Sequence, residues 1–269
     1  MQTEKVHLTK EKETLLATLY ARAQESRSPD PILRDEMAEE AIQHIDYDFE
    51  HLKADTLSIA IRAKQFDIWT AEFLADHPNA TVLHLGCGLD SRVYRLDPPA
   101  SVRWYDVDYP EVIELRRRLY PERPGYTMIG SSLADLEWLD AIPNDNPAWI
   151  LAEGVTMYLS TEVINALLIG VTTHFPGGAI AFDAISPAAT RMASGNRSLR
   201  ATGATFGGFS VDDPQELQKV APKLEFVKTV RTPEMPGYAK LPLATRALVR
   251  VFDSFASLRK LSRLLYYRF

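Results

Sequence analysis

Apolar residues in the first 78 positions recur mainly at helical spacing. The spacing predicts helices over 9–23 and 55–75. Between them Asp30-Pro31 should open a further helix, because Asp is a favoured N-cap and Pro fits the first helical position. Residues 1–78 are therefore predicted to form a helical cap on the rest of the chain.

The remaining residues, 79–269, alternate short apolar runs with helical segments. Strands are predicted at 81–85, 102–107, 126–130, 148–152, 179–184, 224–230 and 264–269, and helices at 91–96, 110–119, 160–174 and 243–261. Because the early runs are almost wholly apolar, both faces of their sheet should be covered. The pattern predicts an α/β fold with a doubly wound, mostly parallel sheet, closed at one edge by the terminal strand. Cap and core are expected to form one compact unit.

Residues 186–213 interrupt this alternation with small and polar residues. Stretches of this length without periodicity are typically functional lids or disordered segments. We predict a lid insertion in the core at this position.

Composition excludes several classes of protein. The chain has 269 residues, a net charge of −6 and one cysteine, and no apolar run approaches the length of a membrane span. These features argue against nucleic-acid and membrane partners and favour a reducing, cytoplasmic location. The single basic triplet, residues 116–118, is predicted to lie on a solvated helix face.

The most informative segment is the first predicted strand with its continuation. It ends in Gly86-Cys87-Gly88, and a second strand closes on an acidic pair about 20 residues later. This combination is typical of α/β domains that bind adenosine, although two glycines can also serve only to turn the chain. The third glycine of the dinucleotide motif is missing, which disfavours NAD and FAD. The sequence therefore favours S-adenosylmethionine, whose adenosine carries no phosphate.

Asp108 stands where the second strand gives way to a loop. Ligands of open α/β sheets bind at the carboxyl ends of the strands, so Asp108 is a candidate for the ribose hydroxyls. Its alternative role is to cap the helix at 110–119. Asp106, deeper in the strand, is predicted to be structural.

Two further charged residues are candidates for the same cleft. Arg62 falls within the apolar stripe of the helix at 55–75, and a buried guanidinium requires an anionic partner. The partner is either the methionine carboxylate of the cofactor or a protein acid, Asp90 or Glu153, unless the side chain extends to water. Glu153 ends an apolar strand beside Gly154, where it either accepts from the cofactor's amino group or caps the next segment.

Other site types find little support. The six histidines show no ligand pairing and one cysteine cannot form a thiolate site, so no metal is predicted. No serine-hydrolase motif occurs. Tyr158, near Glu153, is a candidate substrate contact or a packed core residue. No catalytic base is assigned.

Three linked motifs resemble a known family. Residues 84–92 read HLGCGLDSR, residues 104–112 read WYDVDYPEV, and residues 152–159 read AEGVTMYL. They resemble the leucine carboxyl methyltransferase family, and within it the bacterial branch of polyketide O-methyltransferases. The resemblance runs from His7-Leu8-Thr9 to the terminal Tyr267-Arg268-Phe269.

The resemblance implies a class I methyltransferase fold with seven strands and a set of cofactor-binding residues. It assigns Arg62 to the cofactor carboxylate, Asp108 to the ribose and Glu153 to the motif after the fourth strand. Where the family often has Asp-Leu beside the adenine, this chain has Ser132-Leu133, and Asp135 is an alternative. The cofactor-binding set is thus Arg62, Gly86, Cys87, Gly88, Asp90, Asp108, Ser132, Leu133 and Glu153.

The predicted function is methyl transfer from S-adenosylmethionine to an oxygen of a small molecule, with S-adenosylhomocysteine as the product. A carboxylate acceptor is already ionised at neutral pH, whereas a phenol, with a pKa of about 10, would need a base or a hydrogen-bond partner. The alternatives are a protein C-terminal carboxyl methyltransferase, an NAD-dependent oxidoreductase and a non-catalytic nucleoside-binding module. The sequence does not indicate the oligomeric state.

Overall fold

The apolar runs of the second part form a single seven-stranded sheet in the computed structural model, which describes residues 4–5, 10–52, 55–194, 208–255 and 258–269. The strands are β1 (Thr81–Leu85), β2 (Arg103–Asp108), β3 (Tyr126–Gly130), β4 (Ala148–Ala152), β5 (Gly178–Ile185), β6 (Glu225–Val230) and β7 (Ser262–Arg268). Their order across the sheet is β3-β2-β1-β4-β5-β7-β6. The first five strands are parallel, and β7 is antiparallel to both β5 and β6. The predicted doubly wound, mostly parallel sheet is confirmed.

The terminal strand was expected at an edge of the sheet, and this expectation is wrong. β7 lies between β5 and β6, and β6 forms the edge. The reason is the apolar content of the two strands: Leu264, Leu265 and Tyr267 of β7 are buried, whereas Val227 of β6 is exposed. The more apolar strand takes the position that is covered on both sides.

Helices surround the sheet. They are α1 (Lys10–Ser26), α2 (Glu36–Gln43), α3 (Thr56–Asp76), α4 (Arg92–Leu96), α5 (Pro110–Leu119), α6 (Thr161–His174), α7 (Pro187–Ser194), α8 (Leu217–Val220) and α9 (Leu243–Ser254). On one face of the sheet α6 packs over Leu83, Ile150 and Phe182. On the other face α3 packs over Val82 and Trp149. Alternate residues of a strand point to opposite faces, so strands covered on both sides read as continuous apolar runs.

The first helices pack beside the loop that follows β1. Leu16 and Leu19 of α1 share a buried cluster with Leu89 of that loop and Leu115 of α5. Of the predicted lid at 186–213, α7 and residues 208–213 are described, while residues 195–207 lie outside the described part. No helix among the described residues is both long enough and apolar enough to span a bilayer.

Two helix boundaries differ from the prediction. The second helix begins after Asp35, whose side chain accepts from the amide of Ala38, and Asp30 instead pairs with Lys240. The buried Glu25 binds the amides of Ile32 and Leu33, which holds these residues in a non-helical bend before the helix starts. The helix predicted at 243–261 ends at Ser254.

The basic triplet was predicted to be solvated, which is wrong for its first member. Arg116 is fully buried, where it pairs with Asp106 and donates to the carbonyls of Gly88 and Asp90. Arg117 and Arg118 are exposed. Asp106 also accepts from Trp104 and Tyr126, so its predicted structural role is confirmed.

Candidate cofactor site

The loop after β1 depends on its two glycines. Gly86 and Gly88 have φ of +59° and +51°, in the left-handed region that side chains disfavour. A Cβ on Gly86 would lie 2.6 Å from Cγ2 of Val155, and one on Gly88 would lie 2.8 Å from Cδ2 of Leu15. The glycines therefore permit both the turn and the close approach of α1 and the segment after β4.

Asp108, at the end of β2, is joined to this loop. Its Oδ2 accepts from the amide of Gly88 at 2.7 Å, and its Oδ1 accepts from the amide of Tyr109 at 2.7 Å. The N-cap of α5 is Tyr109, without a side-chain bond, so Asp108 is not that helix's cap. Burial raises the pKa of the Asp108 carboxyl, against the opposite effect of the two amide bonds. Each carboxylate oxygen can accept a further hydrogen bond.

Arg62 projects from α3 towards the ends of β4 and β5. Its Nε donates to Oε1 of Glu153 at 2.9 Å, and its Nη1 donates to Oδ2 of Asp183 at 2.9 Å. Burial lowers the pKa of Arg62, but Asp183 and Glu153 more than offset this, and the pKa is raised. A guanidinium has five N–H donors, so three remain for a ligand. The predicted protein partner Glu153 is present, whereas Asp90 is not a partner of Arg62.

Glu153 is shared between two arginines. Its other oxygen, Oε2, accepts from Nη2 of Arg92 at 2.5 Å. Burial raises the pKa of Glu153, and the two guanidinium groups lower it further than burial raises it, so the carboxylate is ionised at neutral pH. Glu153 does not cap the next helical turn, whose N-cap is Val155.

Behind Glu153 lies a buried network of charges. Asp90 accepts from Arg95 and pairs with Arg92, and both arginines also bind Asp67. The network comprises Arg22, Arg62, Arg92 and Arg95 with Asp35, Asp67, Asp90, Glu153 and Asp183. Such groups are stable inside a protein only when they are paired, so the network fixes the loop after β1 to α3 and the end of β4.

A cavity of about 150 Å³ lies between these elements. Its lining includes most of the predicted site residues: Arg62, Gly86, Cys87, Gly88, Asp90, Glu153 and Tyr158. Gly154, Met157, His84 and Leu89 complete the sheet side, and Thr14, Leu15, Thr18 and Arg22 of α1 cover it. The cavity thus stands at the carboxyl ends of β1 and β4, where open α/β sheets bind ligands.

Three predicted residues do not line this cavity. Asp108 reaches it only through the amide of Gly88. Ser132 and Leu133 follow β3, where the Ser132 hydroxyl accepts from the amide of Ala134 and Leu133 is buried. Asp135 caps the short helical turn Leu136–Ala141, which occupies its carboxylate. The structure therefore brings Arg62, Asp90 and Glu153 together with the glycine loop around one cavity. The contacts of Ser132 and Leu133 with adenine remain a prediction.

Several residues of the site were missed in the sequence, and two of them are charged residues that bind predicted elements of the site. Asp183 contacts Arg62, and Arg22 donates to the carbonyl of Leu89 in the glycine loop at 2.9 Å. A signal for Asp183 exists in the sequence, since it is an acid within the apolar run of β5. Arg22 has no comparable signal, because its partners are backbone atoms and acids far along the chain. Among the described residues no three potential ligands are placed to bind a metal ion.

The sheet order, the glycine loop after β1 and the acid ending β2 define a class I S-adenosylmethionine-dependent methyltransferase. The fold is also that of a DUF574 family protein from Streptomyces avermitilis, with a TM-score of 0.59 over 97% of this chain and 99% of that one, at 14% identity.

The chain belongs to the leucine carboxyl methyltransferase family, whose model matches residues 15–172. It is 45% identical, over 99% of both chains, to the tetracenomycin polyketide synthesis O-methyltransferase TcmP of Streptomyces glaucescens. It is 36% identical, over 82% of both, to the S-adenosyl-L-methionine-dependent methyltransferase dpfgK of Gibberella zeae.

These relationships confirm the family resemblance and the predicted cofactor. The chain is an S-adenosylmethionine-dependent methyltransferase, and the expected O-methylation of a small molecule is consistent with its relatives. The alternatives of an NAD-dependent oxidoreductase and a non-catalytic binding module are not supported.

Proposed function

We propose that this enzyme methylates an oxygen of a small molecule of the polyketide type, in the cytoplasm. The relation to TcmP over the whole chain supports this class of acceptor. The single observation that carries the cofactor assignment is the Arg62 guanidinium, which has three N–H donors besides those bound to Glu153 and Asp183 and lines the same cavity as the glycine loop.

The chemical kind of the residues around the cavity supports this cofactor. Arg62 would bind its carboxylate through the remaining guanidinium hydrogens, a charge-assisted pair. Gly86 and Gly88 line the cavity that would hold this end of the cofactor, and Asp108 would accept from the ribose hydroxyls. The cavity is smaller than a typical ligand site of about 300 Å³ or more. We therefore assign to it only the amino-acid end of the cofactor, with the adenosine lying outside it. Cys87, Asp90 and Glu153 would line that end, and Ser132-Leu133 the adenine.

The acceptor would approach from the side that α1 covers. Thr14, Leu15 and Thr18 of α1, together with Met157 and Tyr158 on the sheet side, give the cavity apolar groups and hydroxyls. This mixture suits an aromatic ring with a few polar substituents. The helical cap and the 186–213 insertion would cover the acceptor and exclude water.

The chemistry requires little from the chain besides alignment. When bound, S-adenosylmethionine supplies a methyl group that an acceptor oxygen displaces from sulfur in line, leaving S-adenosylhomocysteine. The chain would hold the two reactants in contact, and such alignment contributes about 7–11 kcal/mol in intramolecular reactions. His84 lines the cavity, but its two ring nitrogens face Asp106 and Arg92. Burial raises the pKa of Tyr158, which keeps its hydroxyl protonated at neutral pH, so neither residue is placed to act as a base. This supports an acceptor that is ionised before it binds.

Calorimetric titration with S-adenosylhomocysteine tests the cofactor residues. Arg62→Ala and Asp108→Ala should each weaken binding by about tenfold or more, since each removes a hydrogen-bonding charge. Arg231→Ala and Asp253→Ala are matched controls, because these residues form an ion pair on the surface away from the cavity. Wild-type affinity in Arg62→Ala or Asp108→Ala would contradict the assignment of that residue.

The acceptor class is tested with isotopically labelled cofactor. Aromatic carboxylic acids, phenols and a peptide ending in leucine are offered in parallel, and the products are separated. Label in the small aromatic compounds supports the proposal. Label in the peptide alone would instead indicate a protein carboxyl methyltransferase.

A further inference from the structure

An interior strand of the sheet carries an acid, Asp183, whose contacts extend beyond its bond to Arg62. Asp183 lies within β5 between Phe182 and Ala184, and it is 3% exposed. A buried carboxylate is costly unless it is hydrogen-bonded and paired. The bonds that it forms therefore indicate why an acid stands at this position.

Asp183 connects three elements of the site. Its Oδ2 accepts from Nη1 of Arg62 at 2.9 Å, which joins β5 to α3. Its Oδ1 accepts from the amide of Gly154 at 2.8 Å, which joins β5 to the loop after β4. The backbone carbonyl of Asp183 also accepts from the hydroxyl of Thr156 at 2.6 Å. Arg62 and Gly154 both line the cavity, whereas Asp183 does not.

These bonds determine how the guanidinium of Arg62 is oriented. Glu153 binds Nε and Asp183 binds Nη1, so the plane of the group is fixed at two points. The remaining nitrogen, Nη2, lies over Gly154, 3.2 Å from where a Cβ on that residue would be. Gly154 has a φ of +70°, a conformation that favours glycine, and a Cβ at this position would press against the guanidinium. If Glu153 were the only partner, the guanidinium could turn about the single hydrogen bond that its Nε donates.

We propose that Asp183 is a positioning residue for the cofactor's carboxylate. It acts through Arg62, turning the free edge of the guanidinium towards the cavity, and through the amide of Gly154, which sets the surface beneath that edge. The inference rests on the proposed role of Arg62. It does not require Asp183 to touch the cofactor.

Asp183→Asn is the variant that separates orientation from folding. The asparagine has nearly the same shape, and its carbonyl oxygen still accepts from the Gly154 amide. Its NH2 group would then face Nη1 of Arg62, donor against donor, and would displace the guanidinium. Asp183→Ser is a second variant, to be used if the asparagine form does not fold.

Two ligands distinguish positioning from general damage. S-Adenosylhomocysteine carries the amino-acid end, and 5′-methylthioadenosine is a related nucleoside without it. In calorimetric titration Asp183→Asn should weaken the former by about tenfold, comparable to one charge-assisted hydrogen bond, and leave the latter within about twofold. In an Arg62→Ala background, Asp183→Asn should weaken the binding of S-adenosylhomocysteine by less than about a further twofold, because the group that Asp183 positions is gone.

Glu25→Gln is the matched control, a buried carboxylate that accepts from the amides of Ile32 and Leu33 and lies outside both the cavity and the charge network. It should lower the melting temperature with little change in the affinity for either ligand. Equal weakening of both ligands by Asp183→Asn, or no weakening, would overturn the inference. If Arg62→Ala itself leaves S-adenosylhomocysteine binding unchanged, the proposed role of Arg62 fails instead.

Discussion

Gly86→Ala tests whether the glycine loop is fixed by steric contact as well as by its turn. Gly86 is the first residue after β1 and has a φ of +59°. The added Cβ would lie 2.6 Å from Cγ2 and 2.8 Å from Cβ of Val155. The Cβ of Val155 is attached directly to the backbone and cannot rotate away, so the segment after β4 would have to move.

The size of the effect follows from three contributions. A side chain in the left-handed region costs about 1–2 kcal/mol, and overpacking against Val155 adds about 1–3 kcal/mol. Alanine also reduces the conformational entropy of the unfolded chain, which offsets about 0.4–1 kcal/mol of this cost. We expect Gly86→Ala to lower the free energy of unfolding by about 1–5 kcal/mol, with a central value near 3 kcal/mol.

Gly88→Ala provides the internal comparison. Its φ of +51° gives a similar conformational cost, but its Cβ would meet only the terminal Cδ2 of Leu15, which can rotate. It should therefore cost about 1–3 kcal/mol less than Gly86→Ala. Gly208→Ala is the control for conformation alone, because Gly208 is also at positive φ and its added Cβ would meet no atom within 4 Å among the described residues.

Urea denaturation gives the free energies of unfolding, and titration with S-adenosylhomocysteine gives the affinities. Because Val155 follows Glu153 and Gly154 along the chain, a shift of this segment should also weaken cofactor binding in Gly86→Ala. Equal destabilisation by the alanine at positions 86 and 88 would refute the steric argument, since only the conformational cost is common to both.

Two further predictions concern the acids that end β2. Burial raises the pKa of Asp108 above its ordinary value of 3.8. Affinity for S-adenosylhomocysteine should therefore fall as the pH is lowered from 7 towards that value, because the ionised acceptor is lost. Titrations between pH 7 and 4 would show this, and Asp108→Asn should lack that component of the pH dependence. Asp106→Ala leaves Arg116 buried without its counter-charge and should lower the free energy of unfolding by about 3–5 kcal/mol in urea. Glu114→Ala, which removes an exposed partner of Arg118, should cost less than about 1 kcal/mol.

Strands could be located from the sequence because their signals are local. β1, β3 and β4 have the predicted bounds, since each is a short run of mainly apolar residues with turn residues beside it. The order of the strands in the sheet is harder to predict from the sequence, because it depends on contacts between distant parts of the chain. β7 pairs with β5 across some 80 residues of chain, and its place between β5 and β6 depends on which strand is more apolar.

The start of α2 was missed for a similar reason. Asp30-Pro31 carries a sound local signal for a helix start. However, the side chain of Glu25 binds the amides of Ile32 and Leu33, and Lys240 pairs with Asp30. Tertiary contacts therefore overrode a capping preference of about 1 kcal/mol. The prediction that residues 116–118 are solvated failed for the same kind of reason, because the partner of Arg116 lies on a neighbouring strand.

For Arg62 the sequence posed two alternatives, a protein ion pair or a grip on the cofactor. In the structure, the ion pairs with protein acids are what orient Arg62 for binding the cofactor. A guanidinium in this position has two of its five hydrogens bound by Glu153 and Asp183, and those bonds fix the plane in which the other three point. A free arginine would have to be ordered by the ligand itself, and the lost side-chain freedom would weaken binding. The buried acids thus lower that cost before the ligand arrives, which explains why a cofactor anion can be recognised by a cation that already has two carboxylates beside it.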